Sequence, residues 1–138
     1  MAAITKFEEI ETWQSARVLA NLIYDLSGCG EFSRDYGLKD QIRRAVVSVM
    51  SNIAEGFESI SQALFINFLG TAKASAGEVR SQLYIALDRN YISAEQFDQA
   101  HKLVMKTSRQ LYRFMLYLES QPNTRRLREN ALEYETLP

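Results

Sequence analysis

Proline occurs only at positions 122 and 138 of this 138-residue chain, so the first 121 residues contain none of the residue that most disrupts helix interiors. The whole body can therefore be helical. Four segments within it repeat apolar residues at the helical period, separated by Gly, Ser and Asn signals. No segment shows the alternation of a half-buried strand, no repeat recurs at a period of about 20–50 residues, and no heptad persists long enough for an extended coiled coil. Four helices with mostly short connections predict an all-α, antiparallel up-and-down bundle over residues 1–121, followed by a tail over residues 122–138.

The first helix is expected over residues 12–26, with Thr12 as N-cap and Ser27-Gly28 as its end. Its core stripe is Trp13, Ala16, Ala20, Ile23 and Tyr24, widened by Leu19 and Leu26. Val18 and Leu22 fall on the other side. A helix apolar beyond its core face lies deep in a protein or meets another subunit, and a chain of this length offers little depth. The second helix is expected over residues 37–55, with Leu38, Ile42, Ala45, Val46, Val49 and Ile53 inward and Gly56 just past its end. On its opposite face Arg44, Ser48, Ser51 and Glu55 recur at helical spacing.

The third helix starts after Ser59 or Ser61 and runs to about residue 89, where Asn90 stops it. Its middle is small: Gly70, Ala72, Ala74, Ser75, Ala76 and Gly77 leave little to hold a neighbour away, so another helix can pack closely. Ser93 to Gln96 form a capping-box signature for a fourth helix over residues 94–118, with Phe97, Ala100, Val104, Leu111, Met115 and Leu118 inward. Its end, Phe114 to Leu118, is apolar all round. Together with the surplus apolar positions of the first helix, this makes Trp13, Val18, Leu22, Phe114, Leu116 and Tyr117 the candidate contacts between subunits. The tail carries Arg125, Arg126 and Arg128 ahead of Glu129, Glu133 and Glu135, and forms a short helix or trails free.

Lys and Arg total 16 against 17 Asp and Glu, so no global field draws the chain to nucleic acid or membrane, and any basic surface must be local. The local candidate is Lys102, Lys106, Arg109 and Arg113, spaced four, three and four along the fourth helix. Such a line could follow a phosphate backbone of RNA or DNA, although no aromatic stacking platform is read between its charges. The alternative is a solvated helix face. A second polar set, Arg43, Arg44, Ser48, Asn52, Glu55 and Glu78, has two readings as well. Arg43, Arg44, Asn52 and Glu55 could form a recognition surface. The structural reading, preferred because bundle motifs more often fix packing, pairs Arg44 with Glu55 or Glu78 and uses Asn52 on backbone groups.

Chemistry beyond binding has little to build on. His101 is the only histidine and Cys29 the only cysteine, so no His-rich metal site, His-based relay between histidines or intrachain disulfide is expected. Glu55 and Glu78 can be placed between helices two and three, but without a Glu-x-x-His motif they predict no di-iron centre. No HExxH or GxSxG pattern and no phosphate-loop spacing of glycines occurs. We therefore expect no catalytic residues, no metal and no cofactor. The first ten residues carry Lys6, Glu8 and Glu9 without an apolar core, and no stretch approaches the roughly 20 apolar residues of a membrane helix. The expectation is a cytoplasmic protein with no membrane partner.

The stretch Gly37 to Ser48, continued by Ser51-Asn52-Ile53-Ala54-Glu55-Gly56, resembles the signature of a four-helix-bundle family encoded in intervening sequences of large-subunit (23S) ribosomal RNA genes. Phe7, Trp13-Gln14, Ala16-Arg17, Phe68-Leu69, Ala72, Glu78 and Leu83 extend the likeness over residues 7–118. The resemblance implies an up-and-down bundle that assembles as a cyclic homopentamer, with no established activity. More distantly the chain is similar to accessory variability determinant proteins of diversity-generating retroelements, whose basic pentamers work with nucleic acid. Two departures stand out: Met50 occupies a place where the family often has proline, and Glu58 one where many members are basic. The expectation is a self-associating, non-enzymatic bundle presenting a repeated surface to RNA or DNA, or alternatively to a protein partner.

Overall fold

The computed structural model describes residues 4–122; the expected tail lies outside them apart from Pro122. Four helices dominate: α1 (Glu11–Ser27), α2 (Tyr36–Glu58), α3 (Gln62–Asp88) and α4 (Ala94–Ser120), with single 3-10 turns at Phe7–Glu9 and Phe32–Arg34. Among the described residues there is no strand. Consecutive helices pack on each other and α1 closes against α4, so the bundle is an up-and-down square with its core along the axis.

The ends follow local chemistry. The Asp35 carboxylate accepts the Leu38 amide at 3.1 Å to start α2, and the Ser61 hydroxyl accepts the Leu64 amide at 3.1 Å to start α3. Asn90 leaves α3 at a φ of 60°, and Ser93 with Gln96 forms the expected capping box of α4. Two expectations need correcting. Thr12 is not the cap of α1, because the helix begins a residue earlier, after Ile10, and Thr12 is buried within its first turn. Gly56 does not follow α2 but lies inside it: its bare Cα fits where an added Cβ would stand 2.7 Å from Phe65 Cδ1 and 3.0 Å from Phe68 Cβ. A glycine after an apolar run usually signals an end; here it permits close approach.

The core has an upper and a lower part. Leu19, Ile23, Phe32, Ile42, Val46, Val79, Leu83 and Val104 belong to one, and Ile10, Ala16, Val49, Ile53, Phe65, Leu69 and Leu111 to the other. Met50 packs against both. Its helix runs unbroken through the position where a proline would have removed a backbone hydrogen bond. All six inward residues expected on α2 are buried. On α1 the stripe is rotated: Thr12 and Ser15 join it, Leu19 is buried as expected, Trp13 is half-buried and Tyr24 exposed. The loop after α1 hides Phe32, 1% exposed, whose ring stacks on Tyr91 at 5.6 Å. The Tyr91 hydroxyl in turn donates to Asp35 at 3.0 Å, which ties the start of α2 to the loop before α4.

Of the small residues of α3, Ala72, Ser75 and Ala76 face inward, and the Ser75 and Ser48 hydroxyls meet at 2.7 Å between α2 and α3. Ala74 and Gly77 point to solvent, so only part of that run serves close packing within the chain.

Candidate functional site

The four cations expected along α4 are all exposed, but they do not act alike. Lys102 is held by Asp98 at 2.9 Å, one turn earlier, a surface pair worth about 0.3–0.5 kcal/mol. Lys106 stands on the outer face. Arg109 and Arg113 lean toward α3, where they meet two cations that the sequence reading passed over, Lys73 and Arg80. Between these four lies a groove of about 590 Å³, floored by Ala76, Gly77, Val104, Met105 and Ser108.

The groove follows from residue size and register. Antiparallel packing sets the 73–80 stretch of α3 beside the 105–113 stretch of α4. Lys73 and Arg80, seven residues apart, stand on one side about 10.5 Å apart along the axis. Gly77 lies between them, and a Cβ added there would meet nothing within 4 Å. No carboxylate lines the groove, and among the described residues none of Lys73, Arg80, Arg109 or Arg113 has an ion-pair partner. Four cations without ion-pair partners over a mostly apolar floor are a set that an extended or multiply charged anion would complement. Tyr112 also lines it, 53% exposed. Contrary to expectation, an aromatic ring does stand among the basic residues.

Arg43, Ser48 and Asn52 of the polar set on α2 have partners within the chain. Arg43 donates through Nε to the Ser27 hydroxyl at 2.8 Å and through Nη2 to the Tyr24 carbonyl at 3.2 Å. Its guanidinium also sits 4.4 Å from the Tyr24 ring centroid. A cation at the C-terminus of α1 satisfies an end carbonyl and complements the helix dipole. Asn52 donates to the Ser48 carbonyl at 2.8 Å and to the Ser48 hydroxyl at 2.9 Å, so it serves backbone, as the structural reading expects. The pairing of Arg44 with Glu55 or Glu78 is absent among the described residues. Arg44 and Glu78 only share a shallow recess between α2 and α3 with Gln41, Ser48, Ser75 and Gln82. Glu55 and Glu78 do not meet either. They lie in opposite directions from the Ser48–Ser75 contact, about 15 Å apart along the axis.

The candidate subunit contacts divide in two. Val18, Leu116 and Tyr117 are 59%, 46% and 49% exposed. Trp13, Leu22 and Phe114 pack against the chain's own core instead, with Phe114 edge-on to Phe65 at 5.3 Å. They are half-buried because the helix stripes are wider than a single face, so part of each side chain already has cover within the chain.

His101 joins an aromatic cluster, 5.3 Å from Phe97 and 6.1 Å from Tyr84 between ring centroids, with its Nε2 buried and without a hydrogen-bond partner among the described residues. Cys29 is exposed. Among the described residues no group of three or more His, Cys, Asp or Glu could hold a metal ion, and no helix is long and apolar enough to cross a membrane.

A family model described as 23S rRNA-intervening sequence protein matches residues 8–113. A crystal structure from Bacteroides thetaiotaomicron VPI-5482, a protein with unknown function from the S23 ribosomal protein family, is similar with a TM-score of 0.69 and 23% identity, over 75% of this chain and 97% of that one. At that identity the likeness speaks for the fold. No curated protein matches the chain.

Proposed function

The chain belongs to the 23S rRNA-intervening sequence protein family, and from that premise we propose that it is a non-enzymatic, self-associating bundle that binds nucleic acid along the groove between α3 and α4. The observation that carries this reading is the convergence of Lys73, Arg80, Arg109 and Arg113 on one groove with no carboxylate in its lining. Cations brought together from two helices and left unpaired repel one another, a cost an anionic strand would relieve. The alternative, a docking scaffold for a protein partner, lacks an equally localised feature.

Counterion release gives a direct test. Four phosphate contacts to a single strand predict a slope of about −2.8 for log K against log salt, so affinity should fall about fifty-fold between 50 and 200 mM salt. Fluorescence anisotropy with labelled RNA and DNA oligonucleotides measures this. No binding at 50 mM salt would remove the nucleic-acid reading and leave the protein scaffold.

Self-association draws support from Val18, Leu116 and Tyr117, large apolar side chains left at the surface, and a ring of five copies is the assembly we propose. Such a ring would repeat the groove. Leu22→Asp is a poor probe, since Leu22 packs against the chain's own core. Val18→Asp changes an exposed position and should shift the mass in multi-angle light scattering toward the monomer while leaving the thermal midpoint of the fold within ~2 °C, a surface substitution costing at most about 0.5 kcal/mol. A wild-type mass equal to one chain at micromolar concentration would defeat the assembly.

A further inference from the structure

We infer that the α3/α4 groove takes an unpaired strand, with Tyr112 as the platform on which one base stacks; this rests on reading the groove as a nucleic-acid site. The Tyr112 ring lines the groove between Arg109 and Arg113, is 53% exposed, and among the described residues makes no ring contact and no hydrogen bond. The exposed rings of Tyr24 and Tyr84 both have partners, a guanidinium for Tyr24 and the Phe97 and His101 rings for Tyr84. Tyr112 is the free ring in this groove. Beneath it the floor is apolar apart from the Ser108 hydroxyl, and Ala76 with Gly77 keeps it low, leaving open space above the glycine.

A groove meant only for phosphates needs cations, not an apolar floor and an unpartnered ring. The bases of a duplex are already stacked on each other inside the helix, so a duplex presents mainly phosphates to such a groove and would touch only its cationic rims. An unpaired base offers its π-face to Tyr112 while phosphates on either side reach Arg109 and Arg113 on α4 and Lys73 and Arg80 on α3. Stacking of this kind tolerates any sequence, because every base has a π-face.

The test compares a labelled, unstructured dodecanucleotide, in RNA and DNA forms, with the blunt duplex of the same sequence and with a free nucleoside monophosphate as competitor. It uses the full chain, Tyr112→Ala and Tyr112→Phe. Single strands should bind more tightly than duplex and resist displacement by millimolar nucleoside monophosphate. Tyr112→Ala should weaken single-strand binding about 5- to 150-fold, the equivalent of ~1–3 kcal/mol per stacked base. Duplex affinity and salt slope should be unchanged by it. Tyr112→Phe should retain the single-strand preference. A two-fold or smaller loss in Tyr112→Ala with an unchanged thermal midpoint, a duplex bound as tightly as the strand, or a monophosphate bound as tightly as the dodecamer would overturn the inference while leaving a cationic groove that binds nucleic acid. Absence of binding to every probe would overturn both.

Discussion

Replacing Gly56 by leucine is expected to lower the thermal midpoint by about 10 °C or more, through a loss of about 3 kcal/mol or more in folding stability. Helix propensity argues the other way, since leucine in place of glycine within a helix is worth close to ~1 kcal/mol in favour of the variant. Space decides the sign. Even the first added carbon would stand 2.7 Å from Phe65 Cδ1 and 3.0 Å from Phe68 Cβ. The Phe65 ring cannot swing away cheaply, because it is buried and held edge-on between Phe57 at 6.2 Å and Phe114 at 5.3 Å. Phe68 Cβ moves only with the α3 backbone. Gly77 is the matched control: it too lies inside a helix, but an added Cβ meets nothing within 4 Å, so Gly77→Ala should gain about 1 kcal/mol. Thermal melts of both variants check the pair. A midpoint that rises for Gly56→Leu would mean that α2 and α3 are not as close at this point as the geometry requires.

The same glycine marks where sequence reasoning stops. The four helices were legible because a helix stripe is written locally: on α2 the apolar spacing alone picks out Leu38, Ile42, Ala45, Val46, Val49 and Ile53, all buried. The cap Ser93 was legible for the same reason, since its hydroxyl and the amide it accepts lie three residues apart, whereas the sequence left the start of α3 open between Ser59 and Ser61, and Ser61 is the one that caps. Gly56 was misread because the residues that fill the space above it, Phe65 and Phe68, belong to the next helix. Phe32 was missed because Gly28 and Gly30 make its surroundings look like loop, whereas its ring is anchored by Tyr91, far along the chain. Leu22 and Phe114 also find partial cover inside the chain. A stripe wider than one face suggests surplus, yet at the corners of a square bundle two neighbours share each helix, and positions off the main stripe still find cover.

The candidate site was half visible for the same reason. Arg109 and Arg113 declare themselves by spacing on one helix, and Tyr112 beside them was there to be weighed. Lys73 and Arg80 sit seven apart on α3 with Gly77 between them, a pattern with no meaning until antiparallel register places it against α4. The basic stripe expected along α4 alone therefore becomes a two-helix groove, with Lys102 drawn off into its pair with Asp98.

That difference yields the sharpest functional expectation. If the binding surface were the stripe of α4, Arg80 on α3 would be a bystander. If it is the groove, reversing Arg80 and Arg109 together should act on facing walls of one site. Removing two of four contacts takes about 1.4 from the slope of log K against log salt. Placing two carboxylates where phosphates would lie adds repulsion at both walls. Arg80→Glu with Arg109→Glu should therefore reduce affinity for a single strand by at least ~100-fold at 50 mM salt, given that each of the two lost contacts is charge-assisted and worth about 1.5 kcal/mol or more. Neither arginine has an ion-pair or hydrogen-bond partner among the described residues and both are exposed, so the fold should persist, as circular dichroism will show. Arg34→Glu with Arg89→Glu makes the same change in net charge at exposed sites outside the groove lining and separates a local site from a general field. Binding that weakens equally in the two double variants would make the attraction diffuse; binding untouched by the Arg80 and Arg109 reversal would place the strand elsewhere on the bundle.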